Sequence, residues 1–259
     1  MDATSSKVMT CGCGRSAPME RAYGMSGTVC WVHAGVDECI LNRHSVRGGF
    51  DGIAVPRDVI EEIVRCGVAA PSSKGARPWR LHVVSDRGSL GAIADLVLAA
   101  RRAEAFVPKD PATGRPREGL VTSVAESAEV LKNVSVAIFV ENLGAFSTSR
   151  RVVAQADPQW QEDALLGYGF ELIGIGAAVE NMWLAARTKG LEGTFMGDIL
   201  IAEEEIKQHL HIDHDLVGAL VLGSLHAAPE ERAPGGADAA DRVVWHGEGS
   251  AGTPLATPL

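Results

Sequence analysis

Between about Glu162 and Lys189 this chain carries the run ALLGYGFELIGIGAAVENMWLAA, whose apolar residues leave almost no polar face at helical spacing. A helix of that kind must be buried on every side, in a core or against another subunit. Its predicted span, closing at Gly190, is roughly 40 Å at about 1.5 Å per residue. The rest of the fold has to be arranged around it. Gly167, Gly169, Gly174 and Gly176 lower its helix propensity, so they are expected to permit close approach of a neighbouring helix. Gly174-Ile175-Gly176 follows no strand and lies inside the helix, which excludes a dinucleotide-binding turn.

Around this helix the pattern alternates. Val36 to Arg43 reads as a short helix, and Pro56 opens a second one with Val59, Ile60, Ile63, Val64 and Gly67 on one face. Leu81 to Val84 is a strand candidate and Leu90 to Arg102 an amphipathic helix. Residues 109–119 mix Pro, Gly and both charge signs, which predicts a loop able to act as a lid, and the spans 104–119 and 144–161 read as lid-like segments able to shape a pocket. The run VSVAIFV at 134–140 predicts a central strand covered on both faces. Residues 144–161 look irregular, and 216–223 predicts another buried strand. Residues 227–240 form a Pro/Gly/Ala-rich linker before a last strand candidate at 242–245. The expected division is a flexible extension over 1–34, one domain over 35–247 and a disordered tail over 248–259.

With 259 residues and a formal net charge of −9, the chain is large enough for a substantial core and too acidic for a nucleic-acid surface. No apolar run is long enough to span a membrane, and the first residues lack the core of a signal peptide, so a cytoplasmic protein is expected. Cys11, Cys13, Cys30, Cys39 and Cys66 lack paired metal-ligand spacing and read as free thiols, with Cys39 and Cys66 as small core residues. His209, His211 and His214 with Asp213 and Asp215 read as a solvated loop where a helix hands over to the strand at 216; the alternative, a metal site, lacks helical His spacing.

Two segments carry the chemistry. Asn42-Arg43-His44-Ser45-Val46-Arg47 concentrates two guanidinium groups, a hydroxyl and an imidazole, a donor set suited to a phosphorylated, hydrogen-bonding ligand. Pro71-Ser72-Ser73-Lys74-Gly75-Ala76-Arg77-Pro78-Trp79 is a turn rich in hydroxyls and backbone donors. Ser72 and Ser73 have no G-x-S-x-G context, so they are expected to be donors rather than nucleophiles.

Taken in order, Arg43-His44-Ser45-x-Arg47, Pro71-Ser72-Ser73, Pro78-Trp79, Glu180-Asn181-x-x-Leu184-Ala185-Ala186, Gly190-Leu191 and Met196-Gly197 resemble the FMN-dependent nitroreductase family, from about Val36 to Trp245. The resemblance implies an α+β three-layer sandwich with a central, mostly antiparallel sheet, as a homodimer built on long central helices with FMN at the subunit interface. It implies that Arg43, Ser45 and Arg47 bind the FMN phosphate, the ribityl chain and the pyrimidine edge, with His44 alongside. Pro71, Ser72 and Ser73 would come from the partner subunit, and backbone around Met196 and Gly197 would face the reactive ring nitrogen. Gly75 and Arg77 stand where the family usually has two amide side chains, and Arg232 is the basic residue left near the last strand for the phosphate. The implied activity is reduction of nitroaromatics, quinones or similar electron-poor acceptors by NADH or NADPH in a ping-pong hydride transfer. No side-chain acid or base is nominated, because the flavin carries the chemistry. Two alternatives stay open: an FMN-dependent dehydrogenase or oxidase of a specialised metabolite, and a flavin-poor family member without enzymatic activity.

Overall fold

Strands form where apolar runs can be covered from both sides, and that requirement organises the molecule. The computed structural model describes residues 36–227. Four strands, β1 (Trp79–Val84), β2 (Val136–Asn142), β3 (Glu192–Met196) and β4 (Asp215–Gly223), make one sheet in the order β1-β2-β4-β3. Every pairing is antiparallel, with Leu81 opposite Val140, Ile138 opposite Leu220 and Thr194 opposite Val221. All residues of β2 are buried, as its continuous apolar run predicts. A register shift between Val140 and Glu141 marks an irregularity where β2 meets β4.

Helices cover both faces. On one side α3 (Arg87–Ala99), α4 (Val124–Asn133) and α7 (Glu203–Leu210) pack Ile93, Val97, Leu131 and Ile206 against Ala137, Phe139, Ala219 and Val221. On the other, α2 (Arg57–Val68) and α6 (Pro158–Arg187) pack Ile60, Ile63, Ile175, Ala178 and Met182 against Val136, Ile138, Val140, Leu220 and Leu222. Odd and even strand positions thus feed opposite cores, giving the expected three layers. Two short helices, α1 (Val36–Asn42) and α5 (Arg150–Ala154), lie before α2 and α6.

The long helix α6 begins at Pro158, four residues ahead of the expected start. Pro at the first helical position and Asp157, whose side chain accepts from Gln159 N, provide the earlier cap. Its inner stripe is buried, but Leu165, Leu166, Phe170 and Ile173 are exposed in the single chain, Ile173 at 71%. All-round burial is therefore not met within one chain. Two of the four glycines admit close neighbours, but these are loops and not the expected helix: a Cβ at Gly174 would lie 3.2 Å from Ser72 Cβ in the serine turn, and one at Gly167 would lie 3.1 Å from Phe146 Cβ in the loop after β2. Gly169 and Gly176 have nothing within 4 Å.

Other boundaries move by a few residues. β1 starts two residues early at Trp79, α3 spans 87–99 rather than 90–102, and the expected irregular stretch 144–161 contains α5 and the first turn of α6. Cys39 is buried as expected, whereas Cys66 is exposed. The reason is that the buried stripe of α2 runs through Ile60, Ile63 and Gly67 and leaves position 66 outside it. The extension over 1–34, Cys11, Cys13, Cys30, the linker from residue 228, Arg232, the strand candidate at 242–245 and the tail at 248–259 lie outside the described residues.

Candidate functional site

The Arg-rich segment leaves α1 and runs along the open edge of β3. Val46 N donates to Gly193 O at 2.9 Å, and further on Asp51 N donates to Ser224 O at 3.0 Å. These bonds fix residues 43–47 beside the strand that ends in Met196 and Gly197. Met196 is buried, while Gly197 is exposed and a Cβ there would meet nothing within 4 Å, so backbone at this turn is open to a ligand. The structure therefore brings Arg43, His44, Ser45 and Arg47 to the same edge as the Met196-Gly197 turn.

Each guanidinium already has a carboxylate beside it. Arg43 Nε lies 2.9 Å from Glu180 Oε1, and the guanidinium stacks 4.6 Å from the Trp183 ring centroid. Arg47 Nε is 3.9 Å from Glu126 Oε2 at the start of α4. His44 Nδ1 sits 3.1 Å from Asn42 O. Behind the segment, buried Arg187 and Glu192 pair at 2.9 Å. Burial pushes the Glu192 carboxyl up, against the opposing pull of Arg187 and His44, and the net shift is upward.

The serine turn packs against α6 at Gly174, where the absent side chain lets Ser72 approach. Its backbone is tightly wound: Lys74, Gly75 and Arg77 all have left-handed φ, at 52°, 66° and 46°. Ser72 Oγ accepts from Arg77 N at 2.8 Å, Ser72 O from Gly75 N and Ser73 O from Ala76 N, both at 3.0 Å. The amides of 75–77 are thus used inside the turn. What the segment offers outward is the side chains of Ser73, Lys74 and Arg77, with Lys74 Nζ 6.0 Å from the Phe146 ring centroid. Pro71 is exposed at the start of the turn.

The two segments meet the same helix at different heights. Gly174 and the Glu180–Trp183 stretch are separated by about 9–14 Å at 1.5 Å per residue along α6. One chain does not place the serine turn on the Arg segment.

The lid candidate is rooted beside the Gly197 turn. Ser123 Oγ donates to Asp198 Oδ2 at 2.6 Å, Ser127 Oγ reaches both Asp198 oxygens at 2.9 Å, and Thr122 Oγ1 donates to Ala103 O at 3.2 Å. Within it, Asp110 Oδ1 accepts from Ala112 N, Thr113 N and Thr113 Oγ1, which closes a turn bridged by Lys109 and Pro116. These hydrogen bonds from Thr113 hold the Asp110 carboxyl below its usual range.

Two buried carboxylates brace the scaffold. Glu171, in mid-helix, accepts from Asn142 Nδ2, Phe146 N, Ser147 N and Ser147 Oγ at 2.5–2.8 Å, tying the loop after β2 to α6. Burial pushes its pKa up, but these four donors outweigh it and the net shift is downward. Glu141 on β2 holds His82 Nε2 at 2.9 Å, His214 Nδ1 at 2.7 Å, His214 N at 3.0 Å and Arg80 Nη1 at 3.2 Å. Burial raises it, and the histidine and arginine donors together bring it down to about 2. His214 is therefore more than part of a solvated loop, while His209 belongs to α7 and His211 caps that helix in the left-handed region. Among the described residues no group of three His, Cys, Asp or Glu side chains could hold a metal ion, and no helix is long and apolar enough to cross a membrane.

The sequence reading missed Glu180, Trp183, Glu126 and Asp198 as parts of this site. Asp198 directly follows Gly197, but no spacing links Glu180, Trp183 or Glu126 to residues 43–47; only the packing of α6 and α4 around that segment does. Glu171 was missed as well, although a lone charge between Phe170 and Leu172 in an apolar helix is a signal that could have found it.

Comparisons with known proteins bear on the family and the fold. The Nitroreductase family model matches residues 40–224, which include both segments and the Met196-Gly197 turn. An FMN-dependent nitroreductase from Clostridium difficile R20291 aligns at 18% identity over 81% of this chain and 98% of its own, with a TM-score of 0.51. NADPH:FMN oxidoreductase from Vibrio harveyi, complexed with NAD+, aligns at 17% identity over 82% and 76%, with a TM-score of 0.52. Nitroreductase A from Vibrio parahaemolyticus RIMD 2210633 gives 17% identity over 75% and 69%, also at 0.52.

Proposed function

The chain belongs to the nitroreductase family, and from that premise we propose that it is a cytoplasmic FMN-dependent oxidoreductase using NADH or NADPH to reduce nitroaromatic, quinone or similar electron-poor acceptors. The observation that carries the reading is the seating of Arg43, His44, Ser45 and Arg47 along β3, where Val46 N bonds Gly193 O on the strand that leads to the open Gly197 turn. The donor set fits FMN: two guanidinium groups and a hydroxyl suit a phosphate and a polyol, and bare backbone at a turn suits a ring edge. The buried Nε1 of Trp183, which lacks a hydrogen-bonded partner, adds a donor at the same place.

In this reading Arg43 holds the phosphate, Ser45 the ribityl chain and Arg47 the pyrimidine edge, with His44 beside them. The Met196-Gly197 backbone faces the ring, and Arg232 adds charge at the phosphate. Pro71, Ser72, Ser73, Gly75 and Arg77 line the ring from a second subunit, and positive charge from Arg77 favours the reduced, more anionic ring. FMN, when bound, supplies the centre that accepts a hydride from the nicotinamide and passes it to the acceptor. Exclusion of water falls to the 104–119 segment, which leads into α4, the helix that Ser123 and Ser127 tie to Asp198.

A homodimer supports the same picture. The exposed stripe of Leu166, Phe170 and Ile173 has i, i+4, i+7 spacing, and Gly169 and Gly176 leave space beside it for a second helix. Pairing two chains there covers α6 on its remaining side and brings in the serine turn of the second subunit. The test is flavin binding followed by anaerobic reduction. Wild-type protein should quench FMN fluorescence and bleach the flavin on adding NADH or NADPH, and Arg43→Ala should lose FMN. Normal retention of FMN by that variant rejects the assignment. Bound flavin left oxidised by both nucleotides rejects the nicotinamide-driven reaction.

A further inference from the structure

Arg43 is held on two sides by its own chain. The Trp183 ring, itself buried, lies against the guanidinium face, and the Glu180 carboxylate lies against its Nε edge. Both come from one turn of α6, so they form a fixed wall rather than a mobile surface pair. Glu180 carries charge of the same sign as a phosphate and faces the same cation. The pair is only partly shielded, with side-chain exposures of 29% for Arg43 and 40% for Glu180, so an outside anion can reach it.

We propose that Glu180 is an internal competitor for the flavin phosphate, which weakens FMN binding selectively and makes the cofactor exchangeable. This rests on the FMN reading above and adds to it a residue that sets phosphate affinity. The physical argument is short. A phosphate arriving at Arg43 must either displace the carboxylate or share the guanidinium with it. Displacement forfeits the existing ion pair, and sharing places two like charges within a few ångströms of each other. Either way the cost scales with the Glu180 charge and is absent for a flavin without a phosphate. Arg43 cannot escape by swinging into solvent without leaving the Trp183 face. Partly exposed ion pairs set the scale at about a two- to fivefold change in affinity.

Glu180→Gln keeps the shape and removes the charge. Fluorescence-quenching titrations of the full chain with FMN and with riboflavin, at low and at high salt, separate the possibilities. The expected result is FMN binding tightened about two- to fivefold in Glu180→Gln, with the gain shrinking at high salt and riboflavin affinity unchanged. Unchanged or weaker FMN binding in Glu180→Gln overturns the proposal while wild-type binding leaves the FMN reading standing. Equal tightening of riboflavin also overturns it, since the carboxylate then acts on the ring or chain. If neither flavin binds wild type or variant, the FMN reading and this inference fall together.

Discussion

Glu141 sits at the junction of β1, β2 and the turn before β4, fully buried, with three side-chain donors and one amide on its two oxygens. Its carboxyl is held down at about 2, against an ordinary 4.5. The folded state therefore binds its proton less readily than the unfolded chain. A depressed carboxyl contributes stability above the unfolded pKa, and that contribution is lost as pH falls through the folded value. A shift of about 2.5 units corresponds to about 3.4 kcal/mol at neutral pH, with no discount for exposure because the group is buried. Linkage leaves nearly all of this at about pH 5.5, roughly 2.6 kcal/mol at about pH 4 and roughly 1.4 kcal/mol at about pH 3. Glu141→Gln, which keeps the volume and one acceptor, removes that dependence. Urea unfolding of both proteins across this range should show the wild-type advantage shrinking by about 2 kcal/mol from pH 5.5 to pH 3. Other carboxylates such as Glu171 titrate in both proteins and cancel in the difference. A gap that stays constant over that range refutes the account of the Glu141 cluster.

Three more perturbations follow from the packing. Gly67 lies under Met182, and a Cβ there would be 2.5 Å from Met182 Cγ, so Gly67→Ala should lower stability by about 1–2 kcal/mol despite its better helix propensity; higher stability in urea would contradict the packing. Ile173→Asp places a charge in the exposed α6 stripe and should convert a dimer to a monomer by sedimentation while the isolated chain stays folded; an unchanged sedimentation coefficient removes that stripe as the interface. Asp198→Ala strips the acceptor from Ser123 and Ser127, costing about 1–3 kcal/mol, and limited proteolysis should then cut within 104–119 faster than in wild type, an effect that equal cleavage rates would exclude.

The elements that could be read from the sequence were those whose burial is written in local periodicity. β2 has an unbroken apolar run, α2 a stripe through Ile60, Ile63 and Gly67, and α6 an apolar surface too wide for one chain's core. The short order of Arg43-His44-Ser45-x-Arg47, the serine turn and Met196-Gly197 was likewise legible, because each piece is contiguous and together they resemble one family. β3 was not. Glu192-Gly193-Thr194-Phe195-Met196 has weak strand character, and Gly193 is needed only because its Cβ would run into the backbone carbonyl of Val221 on the neighbouring strand. The helix α4 has Val124, Ala128 and Leu131 at helical spacing, a pattern absent from the sequence expectations.

Sequence alone therefore determined the family, the layered α+β class and the residue types available to a phosphorylated ligand, since these depend on pattern and order along the chain. Tertiary structure alone decided which charges face one another: Glu180 on Arg43, Glu126 beside Arg47, Asp198 under Ser123 and Ser127, and Glu141 among His82, His214 and Arg80. Partners separated by tens of residues leave no local periodicity, and the energy of a charge is set by whatever packing brings within a few ångströms of it.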